Sequence, residues 1–199
     1  MRIVILDYGV GNLFSLRSAL EREGARPLVV SELPSCGYDA VILPGVGNFA
    51  PAAAHVRSLR ESLAELIERG LPVLGICLGM QLLFDQSEEA PGEGLHLFPG
   101  RVVRLPQSVK VPHIGWNTLE IAQPHPLLEG VADGEWVYFV HSFYPAPADE
   151  KIVLARCSYG VRFPAIVGQG SLFGTQFHPE KSGPTGRKIL RNFLRLAKS

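Results

Sequence analysis

The sequence predicts an α/β fold: one doubly wound, mostly parallel sheet in a single domain spanning residues 1–199, with mixed or antiparallel strands in its second half. Three observations lead there. Short continuous apolar runs alternate with amphipathic stretches of helical period in the first half of the chain. One such run passes through a glycine-flanked turn directly into another apolar stretch. Beyond that point the pattern changes to short strand-like segments, until a last amphipathic helix.

Taken in order, Ile3-Val4-Ile5-Leu6 is unbroken apolar chain, as expected of a strand covered on both faces. Residues 12–23 read as a helix with Leu13, Leu16 and Leu20 on one face and Gly24 as its stop. Pro27-Leu28-Val29-Val30 and Ala40-Val41-Ile42-Leu43 are the next strands. Asn48 is placed to cap a helix through Ala54 and His55, resuming after a break to Arg69 and ending at Gly70. Residues 72–76 form a strand that enters a short helix through Gly75-Ile76-Cys77-Leu78-Gly79-Met80-Gln81. These are βαβ units with right-handed crossovers. Residues 86–94 read as a polar loop. Strands are expected at 100–105, 117–121, 137–144, 152–158, 165–170 and 172–177, with a hairpin at Tyr159-Gly160. Residues 185–198 carry Ile189, Leu190, Phe193, Leu194 and Leu196 at helical spacing, a helix that packs back on the sheet.

Composition bounds the function. An apolar share of 46% and a charged share of 19% fit a globular enzyme with a sizeable core. The formal net charge is zero, so nothing points to nucleic acid or an anionic membrane as partner. No apolar run approaches membrane-spanning length, and Met1-Arg2 leads straight into a strand with no signal-peptide pattern. Cys36, Cys77 and Cys157 have no framework spacing, which points to a reducing compartment and a cytoplasmic location. No metal-ligand spacing is present, and the incomplete glycine pattern after the first strand assigns no cofactor.

Cys77 is the candidate nucleophile. A Cys on a turn between strand and helix has its thiol at the helix N-terminus, where free N–H groups favour thiolate. Gly75 and Gly79 allow the turn to tighten, as in the nucleophile elbow with Cys in place of Ser. The plain alternative is a small buried apolar Cys at a strand end. A thiol nucleophile needs a base, and the base an orienting group. Gly174-Thr175-Gln176-Phe177-His178-Pro179-Glu180 supplies both: Pro179 keeps the segment extended, so His178 and Glu180 share one side. On its own this segment also reads as a surface turn.

The two motifs together resemble the class I (triad) glutamine amidotransferases. Asp7-Tyr8-Gly9-Val10-Gly11-Asn12-Leu13, Leu43-Pro44-Gly45-Val46-Gly47-Asn48-Phe49, Pro112-His113-Ile114-Gly115-Trp116-Asn117 and Tyr138-Phe139-Val140-His141-Ser142-Phe143-Tyr144 narrow the resemblance to the glutaminase subunits of imidazole glycerol phosphate synthases. The resemblance implies a flavodoxin-like fold with its site at the C-terminal edge of the strands. It implies a triad of Cys77, His178 and Glu180 that hydrolyses L-glutamine. The oxyanion hole would draw on Leu78, directly after the nucleophile, and on the turn at Val46 and Gly47, since two donors are needed. Gln81 and Glu89 would hold the α-amino end of glutamine, and the backbone near Ser142 and Phe143 its carboxylate. A separate (β/α)8 cyclase subunit would receive the ammonia, docking on a face with Asn12, Trp116, Tyr138 and Lys181. His113 and His141 are read as positioning, partner-contact or structural residues. Three other readings stay open: a glutaminase of the anthranilate or pyridoxal phosphate synthase type, a cysteine hydrolase or redox chaperone of related α/β fold, and a non-catalytic binding subunit.

Overall fold

A computed structural model describes residues 1–9 and 13–198 of the chain. Strand β1 (Arg2–Leu6), helix α1 (Leu13–Arg22), β2 (Arg26–Val30) and β3 (Ala40–Leu43) open the fold. Helices α2 (Phe49–Val56) and α3 (Arg60–Glu68), joined by a 3-10 turn, lead to β4 (Val73–Ile76) and the short α4 (Leu78–Leu82). Strands β5 (Gln86–Ser87), β6 (Gly100–Arg104), β7 (His113–Thr118), β8 (Glu120–Ile121), β9 (Trp136–His141) and β10 (Phe143–Pro147) follow. The chain ends with β11 (Val153–Ser158), β12 (Arg162–Gln169), β13 (Leu172–Thr175) and α5 (Gly183–Leu196).

Eight strands form the main sheet in the order β2-β1-β3-β4-β13-β12-β11-β8. The pairings from β2 through to β13 are parallel and those from β13 to β8 antiparallel. The sheet is therefore mixed, its parallel part made of β1 to β4 from the first half of the chain together with β13. Alternation along the strands sends side chains to two cores. Ile3, Ile5, Ala40, Ile42, Leu74 and Ile76 meet α1 and α5 on one face. Val4, Leu6, Val41, Leu43 and Val73 meet α2 and α3 on the other. A five-residue helix does not persist alone in water. Helix α4 is held instead by burial of Leu78, Met80 and Leu82, each worth about 1.5–3 kcal/mol.

Two outlying sheets flank the C-terminal edge of the main sheet: β10-β6-β5, and the antiparallel ribbon β7-β9. The expected strand at 117–121 is instead the end of β7 plus the separate β8, and the expected strand at 137–144 breaks at Ser142 into β9 and β10. Strand β7 inverts the usual pattern, with His113 buried and Ile114 and Trp116 60% and 51% exposed, while β9 buries Val137 and Phe139 together with His141. An apolar-in, polar-out template therefore misplaces the boundaries of β7. Helix α1 stops where expected: Gly24 takes φ +82 and Ala25 N–H closes on the Leu20 carbonyl at 3.1 Å. Asn48 stands at the N-cap of α2 but makes no side-chain capping bond. The cap comes from across the chain, where Glu89 Oε2 accepts from Phe49 N–H at 2.7 Å.

Candidate active site

The parallel pairing of β4 with β13 sets Ile76 opposite Thr175, so the residues that follow each strand meet at the same edge. Cys77 N–H donates to the Thr175 carbonyl at 2.7 Å, and the Cys77 carbonyl accepts from Gln81 N–H at 3.1 Å. Between them Cys77 adopts φ +53, ψ −107, a strained region for a side-chain-bearing residue that costs about 1–3 kcal/mol. Neighbouring glycines make the turn possible. A Cβ on Gly79 would lie 1.8 Å from the Leu43 carbonyl oxygen, and one on Gly75 would lie 2.5 Å from that of Gly79. Strand β4, helix α4 and the end of β3 thus touch backbone to backbone around the Cys77 bend.

His178 is fixed from both sides. Its N–H donates to the Tyr138 carbonyl at 3.0 Å, and its carbonyl accepts from Ser182 Oγ at 2.6 Å. Ser182 Oγ in turn accepts from Tyr138 N–H at 2.9 Å. Glu180 does not reach the imidazole by extended geometry. Pro179–Lys181 is a 3-10 turn, because His178 alone is extended before the proline and the chain then turns into α5. That turn brings Glu180 Oε1 within 2.9 Å of His178 Nδ1. A carboxylate only accepts, so Nδ1 carries the proton and Nε2 is the nitrogen free for acid–base work. Nε2 is buried with no hydrogen-bond partner. Burial pushes the His178 pKa down, but the Cys77 sulfur and the Glu180 carboxylate outweigh it and raise it. In this arrangement the thiol proton itself goes elsewhere: Cys77 Sγ donates to the Val140 carbonyl at 3.6 Å.

A cavity of about 260 Å³ opens in front of the sulfur, lined by Val46, Gly47, Cys77, Leu78, Gln81, Glu89, Ser142 and Phe143 together with Asn48, Pro112, Val140 and His141. His178 and Glu180 stand behind the sulfur and border a separate small cleft with Gly45 and Lys181. Gln81 Nε2 donates to the Phe143 carbonyl at 2.9 Å and to Gln176 Oε1 at 3.2 Å. Leu78 N–H is occupied: it donates to the Gly45 carbonyl at 3.3 Å.

Gln176 is a group at the site that sequence reasoning gave no role, and His141 and His113, read there as positioning, partner-contact or structural residues, are hydrogen-bonded to each other beside it. Gln176 Nε2 donates to Cys77 Sγ at 3.7 Å; its spacing of two from His178 is the signal that places both on one side. His141 Nδ1 lies 2.9 Å from the Phe143 carbonyl, and His141 Nε2 lies 3.0 Å from His113 Nδ1. The carbonyl can only accept, so Nδ1–H of His141 donates and its Nε2 accepts from His113. The pair is neutral. Burial lowers the His113 pKa to about 4 and the His141 pKa to about 3. Phe143 O, which holds Gln81, is thereby fixed by a second donor.

The residues expected at a partner face lie together where they are described. Trp116 packs edge-on against Tyr138 with ring centres 5.8 Å apart and approaches Gly183, next to exposed Lys181. Asn12 lies outside the described residues. Among the described residues no cluster of three or more His, Cys, Asp or Glu side chains is placed to hold a metal ion, and no helix is long and apolar enough to cross a membrane.

With this geometry in place, the glutamine amidotransferase class-I family matches residues 4–197 of the chain. The imidazole glycerol phosphate synthase subunit HisH of Halobacterium salinarum is 50% identical over 201 residues, covering 96% of this chain and 92% of that protein. HisH of Geobacillus kaustophilus is 52% identical over 209 residues, covering 98% and 97%. Among solved structures, PurLQS from Thermotoga maritima superposes with a TM-score of 0.77 at 24% identity, covering 98% of this chain and 97% of that one. A glutamine amidotransferase from Thermotoga maritima gives 0.75 at 16% identity, covering 100% of this chain and 99% of that one. These two likenesses speak to the fold alone.

Proposed function

This chain belongs to the glutamine amidotransferase class-I family, and we propose that it is the glutaminase subunit of an imidazole glycerol phosphate synthase. It hydrolyses L-glutamine to glutamate and ammonia. The ammonia passes to a (β/α)8 cyclase subunit that forms imidazole glycerol phosphate and AICAR phosphate in histidine biosynthesis. Identity of about half to HisH proteins along nearly the whole chain supports this reading. The chemistry is carried by one observation: a strained, buried Cys77 beside a histidine whose other nitrogen is held by a buried carboxylate.

In the proposed reaction His178 Nε2 takes the Cys77 proton and the thiolate attacks the side-chain amide carbon of glutamine. Collapse of the tetrahedral intermediate returns that proton to the leaving nitrogen, and ammonia departs. A γ-glutamyl thioester remains. Neutral His178 then draws a proton from water, hydroxide adds to the thioester, and glutamate leaves with the sulfur regaining its proton. Glu180 holds the ring in the required tautomer and supports the imidazolium. The cavity is smaller than those that hold drug-sized ligands and suits a single amino acid, with Glu89 and Gln81 facing its ammonium group.

The oxyanion needs donors that this arrangement withholds. Gly45 O and Val46 N–H belong to one trans peptide and point in opposite directions. With Gly45 O on Leu78 N–H, Val46 N–H faces away. Turning that peptide over frees Leu78 N–H and presents Val46 N–H in one movement. Removing a single such donor in other enzymes costs about a hundred- to a thousandfold, so the resting chain should be slow.

The test is glutamate release from glutamine by the chain alone, with the cyclase, and with the cyclase and its substrate. Slow, intermediate and fast turnover are expected in that order. Cys77→Ala should abolish glutamine-dependent synthesis while added ammonia still supports the cyclase. Glutamine-dependent turnover by the Cys77→Ala complex would overturn the assignment.

A further inference from the structure

The loop of residues 44–48 is held at three points. Gly45 O is bonded to Leu78 N–H, and Glu89 caps the helix that the loop enters. The third point lies at the loop's start, where the Tyr8 hydroxyl donates to the Pro44 carbonyl. Tyr8 comes from the segment after β1, is only 6% exposed, and packs in the core shared with α2 and Leu78. Burial, and then the nearby Cys77, push its pKa up, so the phenol stays a neutral donor. Gly45 is pinched beside it: a Cβ there would sit 3.1 Å from Leu78 Cβ and 3.2 Å from the Tyr8 hydroxyl oxygen. No step of the reaction above uses Tyr8.

We propose that Tyr8 is a positioning residue for the glutaminase site, a latch that keeps the oxyanion hole shut at rest. Two hydrogen bonds fix two successive peptides. Tyr8 orients the Pro44-Gly45 peptide through Pro44 O, and Leu78 orients the Gly45-Val46 peptide through Gly45 O. The second peptide cannot turn over without rotation about the bonds of Gly45, and the latch restrains one end of that rotation. The donor is buried and neutral, so breaking the bond without replacement exposes neither group to water and is unfavourable. Opening therefore falls to whatever makes better contacts with the turned loop. This inference rests on the reading that the chain is a glutaminase with Leu78 N–H as an oxyanion donor.

Tyr8→Phe removes the hydroxyl and keeps the ring. The chain without its cyclase should then hydrolyse glutamine about two- to tenfold faster, the range that one neutral hydrogen bond supplies, with KM unchanged. The Leu78 amide should exchange faster with deuterium. A merely structural role would lower kcat or leave it alone. A folded Tyr8→Phe chain with parent-like or lower kcat and parent-like Leu78 exchange overturns the latch. If Tyr8→Phe does not fold, Gly45→Ala presses on the same contact from the other side: faster Leu78 exchange supports the latch and parent-like exchange overturns it. The Cys77→Ala complex runs in parallel. Glutamine-dependent synthesis there brings down the glutaminase reading and the latch together, whereas Cys77-dependent turnover with an unaltered Tyr8→Phe rate removes the latch alone.

Discussion

His178 works between two opposing influences, one from the medium and one from its neighbours. Burial alone would keep the ring neutral, and Cys77 with Glu180 reverse that. Glu180→Gln removes one of the two raising causes, so the imidazole should titrate at lower pH than in the parent, as read from its proton resonances. The same variant should lose less turnover than His178→Ala, because Glu180 orients the ring and does not carry the proton. His178→Ala should approach the inactivity of Cys77→Ala. Equal rates of Cys77 labelling by a glutamine-like electrophile in parent and His178→Ala would count against His178 as the base. Both motifs are legible in the sequence because each is local: a Cys between two glycines, and a His two residues from a Glu. Tyr8 and the Glu89 cap are not legible, since each acts on a residue far along the chain and only the folded register brings them together.

At the scale of elements, the elbow stands on close backbone contact. Gly79→Ala would drive a methyl group against the Leu43 carbonyl, a group fixed in a central strand. A loss of at least about 3 kcal/mol is expected in denaturant unfolding, together with loss of glutaminase activity. Gly170→Ala is the contrast. It has φ +58 and nothing within 4 Å of the added carbon, so it should cost only about 1–2 kcal/mol from backbone conformation and leave activity intact. The regular elements of the parallel half are legible because apolar runs and helical periods agree there. Strand β7 is not, because its inward residue is His113 while Ile114 and Trp116 face outward.

For the molecule as a whole, His113 and His141 tie stability to pH. Both are neutral when folded, with pKa values lowered by burial to about 4 and about 3 from 6.5. Below 6.5 the unfolded chain binds protons that the native chain refuses. Stability should be full above that value and fall as pH drops toward 4, by roughly 1.4 kcal/mol per pH unit for each histidine. Urea midpoints across pH 7 to 4 measure this, and His113→Gln/His141→Gln should flatten the slope. A slope unchanged in that double variant would mean that other groups drive acid unfolding. The architecture is legible as alternating units followed by mixed or antiparallel strands, but the position of β13 at the centre of the sheet is not, because its parallel pairing with β4 and antiparallel pairing with β12 are set by packing and not by any local pattern.

That placement also orders events in time. Strand β13 is the latest in sequence of the described strands, yet it belongs in the middle of the sheet, beside β4. Until it arrives, Cys77 has no Thr175 carbonyl to fix its bend and no imidazole behind its sulfur. A chain that lacks β13 and the segment after it thus has a Cys77 without its base. Pairing between segments so distant in sequence is slow to form, so chemical competence comes last in the life of each new molecule, after nearly all of the fold that must restrain it.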